Sequence, residues 1–188
     1  MFGAVVEQLQ DGPSVQDVVG LLVVLASSGV ASYVANTMVR KAGPAKWRVP
    51  AMKEMFVKHA AIWGLPADAF RLCAGGAEVT AGLLMLLGWI PCDICEALCI
   101  AGMILLICVM TGASMTQAAL GNGWKGMQNS VWFSSWTVLA LVLRVAGEVQ
   151  GILERPAMLA IILGMVAFTT ILGTAVMLRA VYVHRPDP

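Results

Sequence analysis

The sequence predicts an all-α protein: a polytopic membrane helix bundle with four or five transmembrane helices and one interfacial amphipathic helix. Hydrophobic residues make up 59% of the 188 residues and charged residues only 12%, about half the charge of a typical water-soluble domain. The apolar residues also collect in long stretches, and a membrane span needs about 20 of them. We therefore expect a single membrane domain over the whole chain, with no room for a soluble catalytic domain.

Five apolar stretches are the expected spans, at about 15–38, 69–90, 94–116, 130–146 and 157–178. The fourth is the shortest and carries Arg144 near its end, so the number of spans is four or five. In the segment at about 51–63, apolar residues recur at helical spacing with lysines elsewhere. That pattern predicts an amphipathic helix lying on the membrane surface.

Positive charge is unevenly distributed between the segments that join the spans. Six Lys and Arg residues lie between Arg40 and Lys58, Lys125 follows the third span, and Arg179 and Arg185 follow the fifth. Five alternating spans place all of these on one side, as the positive-inside rule requires of the side where the chain is synthesised. No basic stripe with interleaved aromatic residues is present, so nucleic acid is not an expected partner.

Glu78 is the one carboxylate in the second apolar stretch. An ionisable group inside a membrane is expensive, so it normally faces a protein interior and finds a partner. One reading is structural, with a hydrogen bond to another helix or an ion pair with Arg71 or Arg144. The other is functional, with Glu78 as a proton relay or cofactor contact, and the sequence leaves its charge state open.

A Cys-x-x-Cys motif, formed by Cys92 and Cys95, opens the third expected span. Such a pair at the start of a helix can hold a stabilised thiolate, which is how dithiol oxidoreductases work. The carboxylates of Asp93 and Glu96 would oppose a thiolate, and cysteines inside proteins often serve only as small hydrophobic residues. Redox and structural readings of this pair both stay open.

Four further residues are candidate ligands of a pigment or metal ion. His59 and His184 lie outside the expected spans, where a histidine at headgroup level is the simpler expectation. Gln117 and Asn36 are unusual pigment ligands and more often cap helices. Because no paired histidine spacing is present, the sequence predicts no metal site and no haem held by this chain alone.

The stretch from Met52 to Trp89 resembles the DoxX-like family of small membrane proteins. A Trp-Gly-Leu-Pro segment precedes a span that follows an Arg-x-x-x-Gly-Gly-x-Glu-x-x-x-Gly-x-Leu-x-x-x-Gly pattern, carried here by Arg71, Gly75, Gly76, Glu78, Gly82, Leu84 and Gly88. The resemblance implies a four-helix membrane bundle, with Glu78 as the family's embedded carboxylate. Family members include small subunits associated with quinol oxidases, and the family has no single shared reaction. The fifth expected span departs from the four-helix pattern.

We expect a non-catalytic accessory subunit of a larger electron-transfer complex, of the respiratory or photosynthetic kind. Its partners would be other membrane subunits and lipid, in a thylakoid, mitochondrial inner or bacterial inner membrane. The sequence fixes no cofactor; lipid, quinone, chlorophyll and carotenoid are the groups such a complex would bring. The alternative is a membrane thiol or quinone oxidoreductase that uses Cys92, Cys95 and Glu78, and the third reading is a small transporter.

Overall fold

The computed structural model describes residues 15–90 and 92–153, and the side chains of residues 18–90 and 92–145. Within this part of the chain the structure is helical and contains no strand, which confirms the all-α fold class. The expected fifth span at 157–178 and the candidate ligand His184 lie outside the described residues.

Six α-helices and two short irregular helical turns follow one another along the described chain. They are α1 (Val15–Thr37), a π-helical turn (Met38–Ala42), α2 (Gly43–Arg48), α3 (Pro50–Trp63), α4 (Ala67–Leu86), a 3₁₀ turn (Leu87–Trp89), α5 (Asp93–Ala119) and α6 (Gly123–Leu153).

The first long helix does not end where its apolar stretch ends. The backbone stays helical at Ala42 and Gly43, so α1, the π-helical turn and α2 form one continuous rod. Residues 40–48, which the charge pattern assigns to a loop, are therefore helical. The rod stops at Val49, which is extended, because a residue before proline disfavours the helical conformation and Pro50 follows.

Three described helices are long and apolar enough to cross a membrane: Val18–Arg48, Ala67–Trp89 and Asp93–Ala119. The fourth expected span, 130–146, lies within α6. Helix α5 packs against α4 and α6, and α1 packs against α6 and α4. The shared core is formed by residues such as Val34, Met85, Met103 and Leu106.

The outer surface of the bundle is strongly apolar. Large hydrophobic side chains are exposed on every long helix, among them Leu22, Leu72, Ile94 and Val142. Exposure of so many large apolar side chains is disfavoured in water. Together with the three long apolar helices it indicates an integral membrane protein.

Helix α3 has its apolar face against protein. Phe56 and Ile62 are buried, and the helix packs on α4 and α5. The predicted amphipathic helix is therefore present, and neighbouring helices cover its apolar face. The helix ends at Gly64, whose φ of 64° is the left-handed conformation that glycine adopts without strain.

The two ends of the bundle differ in composition. The basic end is formed by α2, α3, the start of α4 and the turn between α5 and α6. The cysteine end is formed by the 3₁₀ turn and the first residues of α5.

Candidate functional site

Glu78 pairs with Lys46, which was not one of the two expected partners. Its carboxylate accepts a hydrogen bond from Lys46 Nζ, and the two side chains are only 4% and 16% exposed. Lys46 belongs to α2, so the pair joins the first long helix to α4. Neither expected partner is correct, since Arg71 and Arg144 bind other groups.

Arg71 supports the same contact through the backbone. Its Nη1 donates to the carbonyl oxygens of Lys46, at 2.7 Å, and Trp47, at 3.4 Å, while Nη2 lies 3.0 Å from Asp68 Oδ1. Lys46 and Trp47 lie in the last turn of α2, where carbonyl groups lack helical partners and a cation is favourable. Lys46 therefore holds α2 onto α4 in two ways: its side chain binds Glu78, and its carbonyl oxygen binds Arg71.

The close approach of α2 to α4 depends on two glycines. A Cβ added to Gly43 would lie 3.0 Å from the carbonyl oxygen of Gly75, and one added to Gly75 would lie 3.1 Å from the carbonyl oxygen of Gly43. Small residues at such crossings let helix backbones approach closely in a membrane. This contact places the Lys46 side chain within reach of Glu78.

Arg144 occupies a second buried ionic site, toward the cysteine end. Its Nε and Nη2 donate to the two carboxylate oxygens of Glu96. Nη1 donates to Ser28 Oγ at 3.2 Å, and Nη2 also donates to the carbonyl oxygen of Gly88 at 2.9 Å. The guanidinium thus connects α1, the 3₁₀ turn, α5 and α6, and the two-pronged contact with Glu96 is one that only arginine makes.

Cys92 and Cys95 form a disulfide bond. Cys92 is the N-cap of α5, and its Sγ accepts the backbone N–H of Cys95 at 3.1 Å. Cys92 is exposed and Cys95 is half-buried. The pair is therefore accessible from outside the bundle and lies at the positive end of a long helix dipole.

The carboxylate of Glu96 is engaged by Arg144, which bears on the chemistry of the cysteine pair. From the sequence, Glu96 is a negative charge that opposes a thiolate at Cys92 or Cys95. Because the guanidinium holds both carboxylate oxygens, the charge of Glu96 is compensated locally. Glu96 therefore opposes a thiolate at Cys92 or Cys95 less than its charge alone suggests.

A third polar group lies at the basic end and contains two candidate ligands. His59, which we expected at headgroup level, is buried against protein. Its Nδ1 is 2.7 Å from the carbonyl oxygen of Met55, and its Nε2 is 3.0 Å from Gln117 Nε2. A carbonyl oxygen only accepts, so Nδ1 carries the proton, and Nε2 accepts from the Gln117 amide. Asn122 Nδ2 in turn donates to Gln117 Oε1.

Both ring nitrogens of His59 therefore take part in hydrogen bonds within the protein. In this structure the residue joins α3 to α5 through Gln117. Trp63 Nε1 adds a parallel bond to Thr116 Oγ1 at 3.1 Å, which also connects α3 to α5. Asn36, the other candidate ligand, is exposed on α1. Among the described residues no group of three or more His, Cys, Asp or Glu side chains is arranged to hold a metal ion.

The fold and these sites define the class: an integral membrane helix bundle that has, in the described part of the chain, two largely buried ion pairs and a disulfide at one end. No protein-family model matches the sequence, and comparisons with curated proteins and solved structures give no significant match. The resemblance to the DoxX-like family thus stays a prediction from the sequence.

Proposed function

We propose that this chain is a membrane-embedded thiol–disulfide redox protein that works through Cys92 and Cys95. The observation that carries the proposal is the disulfide between them at the exposed start of α5. A structural disulfide would normally close a long loop, because its stabilising effect grows with loop length. This one joins residues only three positions apart, so stabilisation alone explains little of its presence.

The geometry favours Cys92 as the cysteine that meets a substrate. A substrate thiolate attacks the more exposed Cys92 Sγ, the Cys92–Cys95 bond breaks, and Cys95 leaves as a thiolate that takes up a proton. The second thiol of the substrate then loses its proton and displaces Cys92 from the mixed disulfide. Cys92 leaves beside the N–H of Cys95 and the positive end of α5, which stabilise a departing thiolate.

Turnover needs an oxidant, and we propose a quinone dissolved in the lipid. The dithiol passes two electrons and two protons to the quinone, which becomes a quinol, and the Cys92–Cys95 bond forms again. The side chains of Trp89, Ile90 and Ile94 are exposed around the motif, so the pair is bordered by an apolar surface that suits a lipid-soluble oxidant. This supports a lipid-soluble oxidant over a water-soluble one.

Trapping of mixed disulfides tests the proposal. In Cys95→Ser the free Cys92 thiolate attacks the disulfide of an oxidised substrate, one substrate sulfur leaves as a thiolate, and no Cys95 is present to displace the substrate from Cys92. The mixed disulfide should therefore accumulate and be visible by non-reducing electrophoresis and mass spectrometry. Cys92→Ser should accumulate far fewer, because Cys95 is less exposed. Cys73→Ser is the matched control, since Cys73 is exposed but takes no part in a disulfide. Equal trapping by Cys95→Ser and Cys73→Ser would overturn the proposal.

An accessory role in an electron-transfer complex, respiratory or photosynthetic, is the second candidate. The observation that favours it is the engagement of Glu78 by Lys46 and of Arg144 by Glu96, which uses these embedded charges to fasten helices together. Gentle solubilisation followed by native electrophoresis and absorption spectroscopy tests this role. Co-migration with a haem- or chlorophyll-containing complex is expected; migration as a colourless monomer would contradict it.

A further inference from the structure

The basic end carries an excess of exposed positive charge. Its exposed cations are Arg48, Lys53, Lys58 and Lys125, and its exposed acids are Glu54 and Asp68. Lys53 and Asp68 approach to 3.8 Å, but both side chains are more than half exposed, at 63% and 58%. Such a pair contributes little and leaves both groups open to other partners.

Two further cations lie nearby on the first long helix. Arg40 and Lys41 are exposed in the π-helical turn, about two helical turns before Arg48. Long basic side chains near the end of a membrane span extend their charged groups toward the headgroup layer. They add to the positive charge of the same surface.

Exposed aromatic and apolar side chains are interleaved with these cations. Trp47 is 41% exposed and Trp124 is 64% exposed, and Val57 and Leu65 are also exposed. Tryptophan is enriched at the headgroup level of membranes because its ring is amphipathic. Cations mixed with exposed tryptophan fit a surface that lies in the headgroup layer rather than in water.

We propose that the basic end is a binding surface for anionic phospholipid headgroups, with Lys53 and Lys58 of α3 as principal contacts. The inner face of α3 is fixed in the bundle by Phe56, His59 and Ile62. The backbone that carries its outer lysines is therefore held in place, which reduces the entropy lost on binding. A phosphate-bearing headgroup with a net negative charge complements this surface, and a zwitterionic headgroup does so less well.

Native mass spectrometry tests the proposal on the full chain released from nanodiscs of equimolar phosphatidylglycerol and phosphatidylcholine. We expect phosphatidylglycerol adducts to dominate. The Lys53→Gln/Lys58→Gln double variant should lower the adduct ratio by about fivefold for each cation removed. The ratio should also fall when the nanodiscs are equilibrated at high salt, because exposed charges are screened.

Two single variants keep the test decisive if the double variant does not fold. Lys125→Gln, in another part of the surface, should lower the ratio by up to about fivefold. Glu54→Gln, on the same helix as the lysines, should raise it, because a repulsive charge is removed. Equal retention of the two lipids by the unchanged chain would overturn the proposal, as would a ratio that does not respond to Lys53, Lys58 and Lys125. A preference for acidic protein segments with no lipid preference would also overturn it.

Discussion

Lys46 of α2 and Glu78 of α4 form an ion pair inside the bundle, although the two residues lie on either side of α3 in the sequence. The lysine lies in residues 40–48, a stretch whose many charges predict a loop. The structure continues the first helix into that stretch and uses one of its cations to neutralise the embedded acid. The pair explains how a carboxylate is tolerated at this depth.

Removing one member of the Lys46–Glu78 pair should destabilise the bundle strongly. Lys46→Met and Glu78→Gln should each lower the free energy of unfolding, the lysine variant by about 3 kcal/mol, since it leaves a buried carboxylate without its partner. Glu78→Gln should cost less, because Lys46 is more exposed and the amide still accepts a hydrogen bond. Reversible unfolding in mixed micelles measures both.

The double variant Lys46→Met/Glu78→Gln provides the control for that pair. Because it leaves no uncompensated charge, its loss of stability should be smaller than the sum of the two single losses. Additive losses would show that the two residues act independently and would contradict the assignment.

Arginine should be required at position 144. In Arg144→Lys the charge remains, but a single ammonium cannot hold both oxygens of Glu96 and also reach Ser28 and Gly88. We expect a loss of about 2 kcal/mol or more, typical of losing hydrogen bonds to charged groups. Ser28→Ala removes only one 3.2 Å bond and should cost about 1 kcal/mol. Equal stability of Arg144→Lys and the unchanged chain would contradict the network.

Two glycines of α5 should respond differently to the same substitution. A Cβ on Gly102 would lie 2.8 Å from the carbonyl oxygen of Ala81, whereas a Cβ on Gly112 meets nothing within 4 Å. Gly102→Ala should therefore destabilise the contact of α5 with α4 by about 1–3 kcal/mol, as overpacking does. Gly112→Ala should be neutral or slightly stabilising, because alanine favours a helix. Thermal unfolding of the two variants makes the comparison.

Gln117 should hold α3 onto α5 through His59. Gln117→Ala leaves the His59 Nε2 acceptor without its donor, a loss of about 1–2 kcal/mol for a buried polar group. Hydrogen exchange should accelerate in α3 more than in α4. Gln128→Ala, a substitution of an exposed glutamine in α6, should leave exchange in α3 unchanged.

Much of the architecture can be predicted from the sequence, because a helix that crosses a membrane must be a long apolar stretch. The apolar stretches indicate where the described long helices lie, and the periodicity of residues 51–63 indicates α3. The end of the first helix is not visible, because Met38 and Gly43 continue to bury surface after hydropathy falls. That burial depends on contacts with other helices, which local composition cannot predict.

The ion pairs could be predicted only in part. Glu78 stands out as an embedded acid, but its partner depends on a helix crossing at Gly43 and Gly75. The Arg144–Glu96 pair does leave a signal in the sequence. One expected span holds the acid near its start and the next holds the arginine near its end, so antiparallel helices bring the two charges to the same depth.

The measurement that tests the central claim most directly is the redox state of Cys92 and Cys95 in native membranes, followed by differential alkylation and mass spectrometry. We predict that both cysteines are blocked as isolated, become reactive together when a dithiol is added, and are blocked again by a quinone, while Cys73 reacts equally throughout. Cys92 and Cys95 that react equally in all three conditions would contradict the account.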